Sequence, residues 1–185
     1  MELAKLLVAA LTPLTVAALG VLLALSTRRF ERSQWANQTL IQKRIELLSG
    51  ALPLLNDLFC YYRWIGSWAT LSPSEIVEAK RKLDRLFFAN QAFFTPGGMA
   101  AYEGFTKVLF KTYSAPGRPA KLRTGPTSRH GKRSQAYPGD WDPMWDDYFA
   151  AENERSLVAE IENAYSILIA SLSNEVGVAN VHRSR

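Results

Sequence analysis

The sequence predicts an all-α protein in which one N-terminal transmembrane helix continues into a cytoplasmic helical bundle with a long basic Gly/Pro loop. Three observations predict this fold class: an uncharged apolar run at Leu6–Leu25, apolar residues that recur at helical spacing beyond it, and a glycine- and proline-rich segment at residues 114–139. We therefore divide the chain into a transmembrane helix at 1–27, a cytoplasmic helical domain at 28–177 and a basic tail at 178–185.

The run Leu6–Leu25 predicts a membrane span, because twenty residues at the helical rise cover about 30 Å, the thickness of a bilayer's hydrocarbon core. A cleaved signal peptide is the alternative, since Ala24 and Ser26 are small. The run is longer than the usual signal-peptide core, and Arg28 and Arg29 follow at once, which favours an uncleaved anchor. The same basic residues predict a single-pass orientation with the N-terminus outside and the bulk of the chain in the cytoplasm.

Small and weakly polar residues within the span are candidates for helix packing or for lining a pore, because small side chains let transmembrane helices approach closely. They are Ala9, Thr12, Thr15, Ala17 and Gly20. Simple tolerance of alanine and threonine by lipid is the alternative for each position. One helix cannot enclose a pore, so a channel requires several copies of the chain. Pro13 predicts a kink in this helix.

The helices after the span are predicted from apolar spacing and from their start signals. From Phe30 to Leu71 the apolar residues recur at helical intervals, and we expect Gly50 and Pro53 to divide this stretch into two helices. Three pairs of a capping residue and a proline mark further helix starts: Ser72-Pro73, Thr95-Pro96 and Asp142-Pro143. We expect the last helix to run from Asp142 to about Val176, with Gly177 as its stop.

The segment at residues 114–139 is too long for a simple helix connection, and its charge has one sign. Its basic residues and histidine are Arg118, Lys121, Arg123, Arg129, His130, Lys132 and Arg133, with no acidic residue among them. One interpretation is a site for phosphates, in which Tyr137 or Trp141 stacks on a base. The alternatives are pairing with the acidic segment that follows and contact with anionic lipid. We expect Lys121 and Arg123 to be the first contacts.

The aromatic cluster Tyr61–Trp64 with Trp68 is most simply explained as core packing, and a surface platform for stacking is the alternative. We expect Cys60, which lies beside it, to be a buried and inert thiol. No sequence motif places Cys60 beside His130 as a catalytic dyad.

Composition limits the function classes. The chain has 185 residues, a formal net charge of +5 and a hydrophobic fraction of 48%, which favours a folded chain over a disordered one. A single cysteine excludes a disulfide framework and a multi-cysteine zinc site, and the sequence holds only two histidines. Known phosphate-loop, nucleophile and metal motifs are absent, so we expect no catalytic residue, metal or cofactor, and not an enzyme.

Several runs resemble a family of small single-span bacterial membrane proteins of anti-phage defence, similar to the membrane effectors of the Hailong system. The runs are Lys43–Leu47, Pro53–Tyr62, Gly66–Trp68, Leu71–Pro73, Lys80–Asp84 and Ala120–Thr124. The resemblance covers residues 1–155.

This resemblance implies a homo-tetramer in the bacterial inner membrane whose N-terminal helices form an ion channel. A single-stranded DNA oligomer, made by a partner nucleotidyltransferase, would hold the channel closed on the cytoplasmic side, and loss of the oligomer would depolarise the infected cell, an abortive infection. The alternative from a different class is a non-conducting, membrane-anchored helical adaptor that recruits a soluble partner.

Overall fold

The computed structural model of the chain describes residues 2–112, 120–129 and 131–177, apart from the side chains of 2–18, 29, 32, 33 and 36. This part of the chain is mostly helical. The α-helices are α1 at Glu2–Arg63, α2 at Pro73–Ala89, α3 at Pro96–Leu109, α4 at Arg133–Ala136 and α5 at Val158–Glu175. The strands, of two residues each, are β1 at Phe110–Lys111, β2 at Lys121–Leu122, β3 at Thr127–Ser128 and β4 at Gly131–Lys132.

The chain forms two compact units, Met1–Gln42 and Lys43–Arg185. The first unit consists of the N-terminal part of α1. In its described part, the side chains between Leu19 and Leu25 are exposed and almost all apolar. Hydroxyl groups in this unit bond back to the helix: Ser26 Oγ donates to Leu23 O at 2.8 Å, and Thr39 Oγ1 donates to Trp35 O at 2.9 Å.

Among the residues that the structure describes, no helix combines the length and the apolar character needed to cross a membrane. The predicted span Leu6–Leu25 falls largely on residues 6–18, whose side chains lie outside the described part. The candidate packing residues Ala9, Thr12, Thr15 and Ala17 lie there too. Gly20 is described, and apart from its chain neighbours and the backbone of its own helix, no described atom lies within 4 Å of the position that a Cβ would take there.

The second unit packs around one hydrophobic core to which α1, α2, α3 and α5 each contribute. The fully buried side chains of this core include Leu55, Leu58 and Tyr61 of α1, Ile76, Leu83 and Phe87 of α2, Tyr102, Phe105 and Leu109 of α3, and Leu168 of α5. Phe87 and Tyr102 stack with their ring centroids 4.0 Å apart, which fastens α2 to α3. The expected burial of Tyr61, Tyr62 and Cys60 is confirmed.

Helix α1 is unbroken through Gly50 and Pro53, so the expected division into two helices is wrong. The physical reason is burial on both sides of the proline: Leu48 before it and Leu55 after it both pack into the core. Gly50 is exposed, and a Cβ at this position would lie 3.7 Å from Leu86 Cδ1. Packing of one continuous face therefore outweighs the hydrogen bond that Pro53 cannot donate.

The first two predicted helix starts are confirmed. Ser72 caps α2 with a complete capping box, in which Ser72 Oγ accepts from Glu75 N at 3.2 Å and Ser72 N donates to Glu75 Oε2 at 2.7 Å. Thr95 Oγ1 accepts from Gly98 N at 3.2 Å at the start of α3. The predicted stop is confirmed as well, because Gly177 has a φ of +78° just beyond α5.

The expectation of one long helix from Asp142 to about Val176 is wrong. Asp142 does cap a helical turn, with its Oδ1 accepting from Met144 N at 2.8 Å, but this 3-10 turn ends at Tyr148. The chain then extends beside β2, where Ala150 N donates to Leu122 O at 2.8 Å and Phe149 is buried. Burial of Phe149 against the core therefore interrupts the helix, and α5 begins only at Val158.

The described parts of the basic segment are ordered by two short antiparallel pairings. In the first, Phe110 pairs with Leu122, and in the second Thr127 pairs with Lys132. Residues 113–119 and 130 lie outside the described part, so Arg118 and His130 lie outside it too. The tail 178–185 also lies outside it.

A buried ion pair joins the beginning and the end of the second unit. Arg44 Nη2 lies 3.2 Å from Glu175 Oε2, and Arg44 Nη1 donates to the backbone oxygen of Glu175 at 2.8 Å. Glu175 Oε1 accepts from the backbone nitrogen of Thr95 at 2.8 Å. The carboxylate thus contacts α1 and the start of α3 at once. A side chain at Gly98 would place its Cβ only 2.4 Å from Glu175 Oε1, so this position requires glycine.

Candidate anion-binding site

A cavity of about 590 Å³, here called the arginine cavity, lies where the end of α1, the segment around β3 and the start of α5 meet. Its lining residues are Tyr62, Arg63, Trp64, Thr124, Gly125, Thr127, Ser128, Arg129, Arg155, Ser156, Val158 and Ile161. Three of them are arginines, four carry hydroxyl groups on serine or threonine, and none is acidic. The lining therefore offers hydrogen-bond donors and positive charge.

Two of these arginines hold buried nitrogen atoms that have no partner. The Nε atoms of Arg63 and Arg155 are both buried and make no hydrogen bond with any residue that the structure describes. Arg63 uses its Nη2 for an ion pair with Glu162 Oε1 at 2.6 Å, which holds the side chain in place and leaves Nε unmatched. A buried donor without an acceptor costs about 1–3 kcal/mol, so an anion that supplies the acceptor would recover this free energy.

Arg133 lies beside the cavity lining and is only 2% exposed. Its guanidinium carbon lies 3.8 Å from the ring centroid of Tyr61 and 3.8 Å from that of Trp64. Nε donates to Gly125 O at 3.0 Å and Nη2 donates to Tyr61 O at 3.0 Å, whereas Nη1 is buried without a partner. Desolvation by burial lowers the pKa of Arg133 to about 10, so the group still carries its charge at neutral pH.

Arg133 supports a strained turn at the end of α1. Trp64 has a φ of +57°, a left-handed conformation that non-glycine residues rarely adopt. The turn is held by the bond from Ile65 N to Cys60 O at 3.2 Å and by the stacking of Trp64 on Arg133. The contact with Arg133 therefore offsets the strain at Trp64. Arg133 belongs to the basic segment, which also forms one wall of the cavity.

Two tyrosines beside Arg133 are buried and protonated. Burial raises the pKa of Tyr61 to about 12, against an opposing effect from the charge of Arg133, and the Tyr61 hydroxyl has no hydrogen-bond partner. Burial likewise raises the pKa of Tyr62, whose hydroxyl donates to Leu109 O. Both hydroxyls are neutral at physiological pH, so neither opposes an anion in the cavity.

The structure brings only part of the predicted basic set to this cavity. Arg129 is in its lining and Arg133 packs against Trp64. Lys132 is exposed at β4 and does not line the cavity. Lys121 pairs with Lys111 across the β1–β2 ladder, and neither Lys121 nor Arg123 is in the lining. The two residues expected to be the first contacts are thus placed elsewhere.

Part of the basic segment binds the acidic stretch that follows it. Arg123 Nε donates to Glu154 O at 2.9 Å, and Lys111 Nζ donates to Glu154 Oε1. The hydrogen bond from Lys111, together with the charges of Lys111, Lys121 and Arg123, holds the pKa of the Glu154 carboxyl below its ordinary value. At Arg123, the basic segment therefore contacts the acidic segment that follows it, as the pairing alternative predicts.

The aromatic residues expected to stack on a base also lie elsewhere. Tyr137, Trp141 and Trp145 contact one another edge to face, with ring centroids 5.2–6.1 Å apart, and none of the three lines the cavity. Within the described part of the chain, no group of three or more His, Cys, Asp or Glu side chains is placed to hold a metal ion.

Two residues of the site were not singled out by the sequence. Arg155 stands alone after a run of acidic residues, and Arg63 is part of the aromatic cluster that core packing explains. The signal that marks Arg63 is its position at the last turn of a helix, followed at once by Trp64. Comparisons with family models, with curated proteins and with solved structures find nothing that matches this chain.

Proposed function

We propose that this chain is an oligomeric, membrane-anchored effector of bacterial anti-phage defence, an ion channel or pore held closed by a phosphate-rich ligand. The ligand is a single-stranded DNA oligomer, bound in the arginine cavity of the helical domain. The domain lies in the cytoplasm, the N-terminus lies outside the inner membrane, and the chain is not an enzyme.

The observation that carries this proposal is the pattern of buried guanidinium nitrogens around the arginine cavity. Within the described part of the chain, Arg63 and Arg155, in a lining without carboxylates, each keep one buried N–H group without an acceptor, and so does Arg133 beside that lining. Phosphate oxygens are the acceptors that arginine binds best, because its planar fork matches their geometry.

The exposed apolar side chains of the first unit support the membrane anchor. Leu19, Val21 and Leu22 are 59%, 60% and 63% exposed, and the helical repeat places Val21 on the side of α1 opposite Leu19. Such a continuous apolar surface is typical of a segment that faces lipid or another protein. Small residues such as Ala17 and Gly20 let copies of this helix pack together, and we take the tetramer and a partner nucleotidyltransferase from the resemblance to Hailong effectors.

The proposed control requires that the ligand prefer one arrangement of the oligomer. A ligand shifts an equilibrium only by the difference between its affinities for the two states, so the DNA oligomer must bind the closed channel more tightly than the open one. Removal of the oligomer then opens the channel. Without such a difference the cavity would bind DNA and control nothing.

The test is a flux and binding measurement on the full chain in liposomes, with a labelled oligothymidylate of about twelve nucleotides. Wild-type protein should conduct ions alone and stop conducting when the oligomer binds. Arg63→Gln and Arg155→Gln should each weaken binding about tenfold or more and lower the salt dependence by about one phosphate contact. Both variants should go on conducting at oligomer concentrations that close the wild type.

The control is Arg81→Gln, a change of the same kind at an exposed position of α2. It should bind and conduct as the wild type does. Liposomes that stay impermeable in all conditions, with binding intact, would refute the channel and leave the non-conducting adaptor. Equal binding by all three variants would refute the arginine cavity as the ligand site.

A further inference from the structure

A second cavity of about 470 Å³, here called the α3–α5 groove, lies between α3 and α5. On the α3 side it is lined by small and apolar residues such as Ala100, Gly104 and Phe105, and on the α5 side by Asn163 and Ile167. No atom lies within 4 Å of the position that a Cβ would take at Gly104, so the groove has room for a flat group there.

The groove and the arginine cavity share one wall. Ser156 lines both of them, and Ser156 N donates to Arg123 O at 2.9 Å. The residues around this bond line different cavities. Arg123 lines the groove, whereas Thr124, which follows it, and Arg155, which precedes Ser156, line the arginine cavity. A single pair of hydrogen-bonded segments therefore separates the two spaces, which lie side by side.

The lining of the groove suits a nucleotide. Ala164 and the exposed Ile167 supply an apolar surface for a base, and the Asn163 amide can both donate to and accept from a base edge. The cations Lys107 and Arg123 also line it, on the side of the shared wall. The Arg123 guanidinium uses Nε and Nη1 for backbone oxygens, and its Nη2 takes part in neither bond.

The one carboxylate of the groove belongs to Glu160, and its Oε2 accepts from Leu157 N at 2.9 Å at the start of α5. The lining of the groove thus carries two cations, Lys107 and Arg123, and one acid, Glu160, which caps its own helix. This charge favours an anionic occupant over a neutral helix, and the shared wall places that occupant beside the ligand of the arginine cavity.

We propose that the α3–α5 groove is a second nucleotide subsite, which takes the next base and phosphate of the strand whose phosphate lies in the arginine cavity. This inference rests on the proposed function and specifies its ligand as a strand of at least two nucleotides. The protein then binds a longer strand more tightly than a mononucleotide, because a single nucleotide fills only the arginine cavity.

The test measures, by calorimetry on the full chain, the affinity for 5′-phosphorylated oligothymidylates of one to four nucleotides. Wild-type protein should bind the dinucleotide at least about fivefold more tightly than the mononucleotide, the effect of one stacked base. Gly104→Leu, which fills the groove, should bind the mononucleotide as the wild type does and lose this gain. Lys107→Gln should lower the salt dependence for the longer strands alone.

Ala89→Leu is the matched control, since it adds the same kind of side chain at an exposed position of α2. The Ala89→Leu variant should still bind the dinucleotide more tightly than the mononucleotide. Circular dichroism should show that Gly104→Leu is folded. If the wild type binds the mononucleotide and the dinucleotide equally well, the second subsite is wrong and the proposed function is left intact. No mononucleotide binding at all would overturn both.

A further outcome separates a nucleotide from a second copy of the chain. If Gly104→Leu changes the oligomeric mass in light scattering while the gain with length persists, the groove is an interface between copies and the inference is wrong.

Discussion

Arg133 shows how one buried residue can connect a strained turn, two aromatic rings and a ligand cavity. Its side chain lies between the rings of Tyr61 and Trp64, and it donates to backbone oxygens from two segments. A lysine in its place would keep the charge but not the planar fork that reaches both oxygens. The residue is thus specified by geometry more than by charge.

We predict that Arg133→Met lowers the free energy of unfolding by about 2–4 kcal/mol, because it removes the hydrogen bonds to the oxygens of Tyr61 and Gly125 and the stacking charge. Arg133→Lys should recover only part of this loss. Urea unfolding at neutral pH measures both. Lys132→Met, at the exposed neighbouring position, should change stability by less than about 0.5 kcal/mol. A loss as small for Arg133→Met would show that the buried guanidinium contributes little.

Tyr102 makes stability sensitive to alkaline pH. Burial raises its pKa, and so does the hydrogen bond that its hydroxyl donates to Asp84 Oδ1 at 2.6 Å, beside the ion pair of Asp84 with Lys80. In the unfolded chain a tyrosine loses its proton near pH 10. The folded state therefore binds more protons above pH 10, and the free energy of unfolding falls as the pH rises.

We predict that Tyr102→Phe reduces this fall by about 1.4 kcal/mol per pH unit above pH 10, the contribution of one proton. The remaining slope comes in part from Tyr61 and Tyr62, whose pKa values burial also raises. Unfolding by urea at a series of pH values between 9 and about 11 measures the slopes. Equal slopes for the wild type and the variant would contradict the prediction, whatever the difference in their stabilities at pH 7.

At the scale of elements, the starts of α2 and α3 could be predicted because each depends on residues within one turn. Ser72 and Glu75 bind each other's backbone groups, and Thr95 caps α3 in the same local way. The start of α5 could not be predicted, because the signal at Asp142 is real but the burial of Phe149 beside β2 ends the helical turn. A contact between residues far apart in the chain overrides the local preference.

The unbroken path of α1 through Pro53 leads to a prediction for this element. Proline removes one backbone hydrogen bond and is unfavourable within a helix by about 3 kcal/mol. Because Pro53 is exposed, replacing it creates no cavity. We expect Pro53→Ala to raise the free energy of unfolding by about 1–3 kcal/mol, measured by urea unfolding. Gln42→Ala, at another exposed position of α1, should change it by only a few tenths. A less stable Pro53→Ala protein would mean that the proline rigidifies a conformation that alanine does not hold.

At the scale of the whole molecule, the mostly helical class and the buried aromatic cluster could be predicted from spacing and composition. The candidate site could be predicted only in part: Arg129 and Arg133 belong to the basic segment, but Arg63 and Arg155 come from outside it. Three segments distant in the sequence meet at the cavity, and the spacing of residues along the chain does not predict that they meet. Arg123, which the sequence predicts to be a first contact of the ligand, donates from its Nε and Nη1 to backbone oxygens.

The proposed membrane anchor leads to a prediction for the whole chain. Burying the apolar side chains of the segment Leu6–Leu25 in lipid contributes far more free energy than any surface contact of the domain. The full chain should therefore sediment with membranes and resist extraction by carbonate, whereas a variant without Leu6–Leu25 should remain in the supernatant. Ultracentrifugation followed by immunoblotting measures this. Recovery of the deletion variant in the membrane fraction would show that another surface carries the attachment.

The ion pair of Arg44 with Glu175 constrains how the domain matures during synthesis. The two residues are 131 positions apart, and ribosomes add about 5–20 residues per second, so roughly 7–26 s pass between their additions to the chain. Throughout this interval the Arg44 side chain has no buried carboxylate to meet, and the face of α1 that α5 will cover stays open. Translation thus delivers the apolar N-terminal segment long before the second unit can close, which would give the proposed membrane insertion time to precede folding.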